Sequence, residues 1–100
     1  MPARPIRFRF YLNRHLVHDS AMNVDEARRA TRIGEEMLKP DDKYLMVLED
    51  LRGLETPWMR GNDDKFGEHL ARLEFGTKLP EGEVRWQKRH GTRYAPAPAI

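Results

Sequence analysis

Lys43-Tyr44-Leu45-Met46-Val47-Leu48-Glu49-Asp50-Leu51 contains five consecutive apolar or aromatic residues, Tyr44 to Leu48. A strand with one wet face alternates polar and apolar residues, so an unbroken run of this length predicts a strand covered on both faces, in the middle of a sheet. The rest of the chain is expected to pack around it.

On its N-terminal side, Ile6 to Leu12 alternates, with Phe8, Phe10 and Leu12 on one face and Arg7, Arg9 and Tyr11 on the other. Asn13-Arg14 predicts a two-residue hairpin turn, because Asn tolerates positive φ. The simplest register then pairs Leu12 with His15, Phe10 with Val17 and Phe8 with Asp19, and sets Arg9 beside His18. Asn23 followed by Glu26 forms a capping-box pattern that starts a helix expected from Val24 to about Leu38. Ala27, Ala30, Thr31, Gly34, Met37 and Leu38 make its apolar stripe, with Ile33 alongside. Lys39-Pro40 ends it, since Pro disfavours a helical residue before it.

Beyond the central run, Leu54 to Met59 reads as an edge strand or irregular segment, because Pro57 lacks a ladder donor. Asp63 or Asp64 caps a second helix from Lys65 to about Glu74, with Phe66, Leu70 and Leu73 on its apolar side and Gly76 as its C-cap. Residues 78–82 read as a turn, and Glu83 to Lys88 as a short last strand. The Ala-Pro tail, 95–100, is expected to be extended and not to pack by itself.

These elements predict one α+β domain spanning residues 1–94. Its mainly antiparallel sheet of three to five strands carries two helices on one face, in two layers. A right-handed crossover through the first helix sets Lys43–Leu51 beside Ile6–Leu12. The expected sheet order is second, first, third, fourth. One hundred residues suit one domain, burying roughly 60–70% of the extended chain's surface.

The chain contains no cysteine, which excludes disulfides and thiolate metal sites. No stretch reaches the ~20 apolar residues of a membrane-spanning helix, and no apolar signal region opens the chain. A cytoplasmic location is expected. Phosphate-loop, dinucleotide-binding and nucleophile-elbow patterns are missing. His15-Leu16-Val17-His18 has a metal-like spacing, but on a regular strand i and i+3 point to opposite faces. The acidic pairs Asp41-Asp42, Glu49-Asp50 and Asp63-Asp64 read as turn and cap residues. No catalytic set, metal site or cofactor is expected, and the chain reads as a non-enzyme.

Charge supplies the leading functional expectation. The net charge is +2. Residues 1–14 carry Arg4, Arg7, Arg9 and Arg14 without an acid, and residues 85–100 carry Arg85, Lys88, Arg89 and Arg93 without an acid, so the body between them is acidic. Cations interleaved with aromatic rings suit phosphates and stacked bases. The residues expected to bind are Arg7, Arg9, Tyr11, Arg85, Trp86, Lys88, Arg89, Arg93 and Tyr94. The expected role is a small regulatory or accessory protein docking an acidic macromolecule, nucleic acid first or an acidic protein surface. The alternative is a protein–protein module, an inhibitor or assembly subunit. It would use an exposed sheet face or edge strand and is compatible with a homodimer.

Overall fold

The computed structural model describes residues 4–76 and the backbone of 85–88. The sequence-predicted turn at 78–82, the start of the last strand at 83–84 and the tail at 95–100 lie outside the described residues.

Strands β1 (Ile6–Leu12) and β2 (His15–Met22) form the predicted hairpin. Asn13 and Arg14 have φ of 49° and 68°, the pair of positive values that a tight hairpin turn requires. The turn is tied to the next strand by Asn13, whose Oδ1 accepts from the Lys43 amide at 3.0 Å while its own amide donates to the Lys43 carbonyl at 2.7 Å.

The predicted hairpin register holds through Leu12–His15 and Tyr11–Leu16 and fails from Phe10 onward. Tyr11 pairs with Leu16, and Phe10 then pairs with His18 across a β-bulge, so Phe8 meets Ser20 and Arg9 meets Asp19. The bulge has a physical reason. In the simple register Asp19 would lie opposite Phe8 on the apolar face, and a one-residue shift carries it to the other face. There it binds Arg7.

Helix α1 (Val24–Glu36) opens on the predicted capping box. Asn23 Oδ1 accepts from the Glu26 amide at 2.8 Å, and Glu26 Oε1 accepts from the Asn23 amide at 3.0 Å. It ends two residues before the expected Leu38. Gly34 lets it settle on the sheet, because a Cβ there would lie 2.7 Å from both Met46 Cε and Phe10 Cε2.

Strand β3 (Tyr44–Asp50) is the buried centre, in the order β2-β1-β3-β4-β5. Tyr44, Met46 and Leu48 pack with Ile6, Phe8, Ala27 and Trp58. Leu45 and Val47 pack with Met59, Leu70 and Phe75. Removing each of these large side chains from water contributes about 1.5–3 kcal/mol.

Strand β4 (Trp58–Gly61) is antiparallel to β3 and internal to the sheet, which corrects the edge-strand alternative for Leu54–Met59, while residues 54–57 are irregular as the other alternative expected. Pro57 precedes the strand, so its missing amide costs no ladder bond. Helix α2 (Asp64–Leu70) is capped by Asp63, whose side chain accepts from the Phe66 amide.

The two clusters show that the helices lie on opposite faces. Ala27 and Ala30 of α1 belong to one, and Phe66 and Leu70 of α2 to the other. The α+β class and the mainly antiparallel sheet hold, but the arrangement is helix, sheet, helix rather than two layers. Burial of Tyr44–Leu48 on both faces is thereby explained within the chain.

The second helix also departs from its predicted form. After Leu70 it widens into a π-helical turn, Ala71–Phe75. The wider spacing leaves Leu73 exposed and buries Phe75 in its place. Strand β5 (Arg85–Lys88) runs parallel to β4, with Trp58 opposite Arg85 and Gly61 opposite Lys88. Among the described residues, no helix is long and apolar enough to cross a membrane.

Candidate interaction surface

The predicted basic residues of β1 are engaged within the chain. Arg7 grips Asp19 with two hydrogen bonds of 3.0 and 2.8 Å and approaches Glu49 at 4.0 Å. Its hydrogen bond to Asp19 raises the Arg7 pKa and lowers that of Asp19.

Arg9 is 4% exposed. It donates to both Glu74 carboxylate oxygens at 3.0 and 2.7 Å and to the Tyr11 hydroxyl at 2.8 Å, leaving its buried Nε without a partner. Burial pulls the Arg9 pKa down, and the bond to Glu74 more than compensates, so the net shift is upward. Tyr11 lies under the guanidinium and meets the edge of the Phe66 ring. Arg14, on the turn, pairs with Asp63 at 3.0 Å.

The exposed face expected to unite Arg7, Arg9, Tyr11 and His18 therefore does not exist in that form. Helix α2 and the π-helical turn cover Arg9 and Tyr11. The bulge turns His18 to the opposite face, where its ring lies 5.9 Å from that of Phe8.

The C-terminal group sits elsewhere. Arg85, Trp86 and Lys88 are on β5, with β3 and β4 between them and β1. Their side chains, and all of Arg89, Arg93 and Tyr94, lie outside the described residues.

The bulge also revises the reasoning about His15 and His18. Their β1 partners are Leu12 and Phe10, so both histidines face the α1 side. No group of three or more potential metal ligands occurs among the described residues. Several of the carboxylates considered for chemistry have structural partners instead. Asp42 accepts from the Lys39 amide, and Asp50 binds Arg52. Asp63 combines the α2 cap with the Arg14 pair, whose hydrogen bond lowers its pKa. Glu35, on α1, receives Arg60 at 2.5 Å and the Tyr44 hydroxyl.

The least satisfied surface lies on the α1 side of the hairpin. The small residues Ala27, Ala30 and Gly34 seat α1 over β1 and β3, and among the described residues most of β2 is left exposed. Between them runs an apolar cavity of about 630 Å³ with Phe8, Phe10 and Leu12 among its lining residues. Val17, Ile33 and Met37 also line it, and they are 55%, 54% and 75% exposed. Its charged lining residues are Glu26, Arg29 and Asp42. Beside it, β2 is exposed over most of its eight residues, and its outer edge pairs with no strand among the described residues.

The sequence offers an edge strand or exposed sheet face as the alternative interface, but it does not single out this groove or its residues. The groove's signal was present as large Ile33 and Met37 at the margin of a stripe of small residues, and as Leu16-Val17 in an otherwise polar strand. A second, polar cavity of about 490 Å³ has Arg14, Lys43, Asp63 and Lys65 in its wall. There Asp63 already answers Arg14. In comparisons with known proteins, the chain matches no family model and shows no significant similarity to a curated protein or a solved structure.

Proposed function

We propose that this chain is a non-catalytic protein-interaction module that receives an extended polypeptide strand along the outer edge of β2. The bound strand continues the sheet through backbone hydrogen bonds, and its alternate apolar side chains enter the groove against Val17, Ile33 and Met37. A carboxylate on the incoming segment meets Arg29. The carrying observation is the juxtaposition of an open strand edge with an uncovered apolar groove on the same side of the sheet.

Two further features support the reading. Strand β2 contains no lysine, arginine or proline, the residues that usually guard an edge against pairing. Its one blunting device, the bulge at Val17, lies near the turn and leaves the pairing from His18 to Met22 regular. The basic-terminus reading has less support, because Arg7 and Arg9 are held by Asp19 and Glu74.

Selection from a random-peptide library displayed on phage tests the proposal. The expected binders alternate apolar and polar residues, and they lose affinity when Val17→Lys or Ile33→Glu is introduced. Binders indifferent to both substitutions, or no binders at all, would overturn it.

A further inference from the structure

Resting on that reading of β2, we propose that the strand it accepts is β2 of a second copy, paired antiparallel about a two-fold axis perpendicular to the sheet. Such an interface is isologous: one patch must complement itself. Three observations meet that condition. First, the ionisable side chains of β2 are His15, His18 and Asp19 alone, and Asp19 is held by Arg7, so no block of like charge opposes its copy.

Second, α1 presents a self-complementary rim. Arg29 and Ile33 line the groove, and Glu36, three residues after Ile33, falls on the same side of the helix by its spacing. Two antiparallel α1 helices related by a dyad near Ile33 bring Arg29 of each copy to Glu36 of the other. Neither residue makes an ion pair among the described residues.

Third, the axis keeps both α1 helices on the same face of a continuous sheet. The two grooves then adjoin across the seam, with Ile33 of each copy nearest the axis.

Sedimentation equilibrium of the full chain, from low micromolar to near-millimolar concentration, tests this together with amide exchange in β2. A dimer is expected, with β2 amides protected in proportion to the dimer fraction. Arg29→Glu or Glu36→Arg alone should weaken association roughly tenfold, and the double substitution should restore it. A monomer throughout would overturn the second-copy proposal; if β2-dependent peptide binding persisted, strand addition would stand without it. Protection of β2 in a monomer at every concentration would assign the edge to the chain's own segment and overturn the proposal. A dimer whose β2 amides exchange as in the monomer, or whose affinity ignores the charge swap, would also overturn it.

Discussion

Arg9 on β1 reaches across the sheet face to Glu74 in the π-helical turn, and the two side chains meet in a two-pronged ion pair. Arg9 is almost fully enclosed and Glu74 is partly so. The pair anchors the end of the second helical segment to the sheet, beside the contacts of Leu70 and Phe75.

Removing one partner leaves the other charge buried without compensation. Glu74→Gln is therefore expected to lower the unfolding free energy by about 3 kcal/mol. The double substitution Arg9→Met with Glu74→Leu should recover most of that loss, since apolar replacement removes both desolvation costs. Urea denaturation of the three variants against the parent checks the order.

Two glycines separate backbone clashes from side-chain clashes. A Cβ at Gly61 would collide with the Tyr44 carbonyl oxygen, a backbone atom fixed in β3. A Cβ at Gly34 meets the ends of the Met46 and Phe10 side chains, which can yield. Gly61→Ala is expected to cost at least about 3 kcal/mol. Gly34→Ala should cost about 1 kcal/mol or less, because the gain in helix propensity offsets part of the displacement. Thermal and urea unfolding of both variants would show the difference.

Acid should destabilise the fold through Asp19 and Asp63. The hydrogen bonds from Arg7 and Arg14 hold these carboxyls below the ordinary range. A depressed folded-state pKa contributes stability that is complete above the unfolded value of about 3.9 and is lost as pH falls through the folded value. Stability is thus expected to be flat near neutrality and to fall below about pH 4. Asp63→Asn keeps a capping oxygen but loses the ion pair. Its curve should lie below the parent's at neutral pH and converge on it in acid. Unfolding free energies measured across that range decide the matter.

The parts legible in the sequence were those fixed by local chemistry. Tyr44–Leu48 declared a strand covered on both sides, Asn23 with Glu26 declared the start of α1, and Asn13-Arg14 declared a hairpin turn. What escaped was decided by distant partners. The bulge moves Asp19 to the face of Arg7, and the wider turn after Leu70 exchanges Leu73 for Phe75 in the core. The placement of α2 opposite α1 follows from which face of β3 each helix meets, and a stripe of apolar residues does not encode that choice. The basic character of β1 was plain from composition, whereas its neutralisation by Asp19 and Glu74 depended on register and on the third layer. The groove beside β2 was hidden for a similar reason: Ile33 and Met37 look like core residues until Gly34 shows where the helix sits.

The account's central claim is that the working surface is the β2 edge and its groove. The most direct measurement is NMR mapping of the chain with a library-selected peptide bound. The largest perturbations are predicted at the His15–Ala21 amides and at the methyl groups of Val17, Ile33 and Met37. Perturbations centred instead on β5 and the residues that follow it would contradict the claim and return the binding role to the basic C-terminal segment.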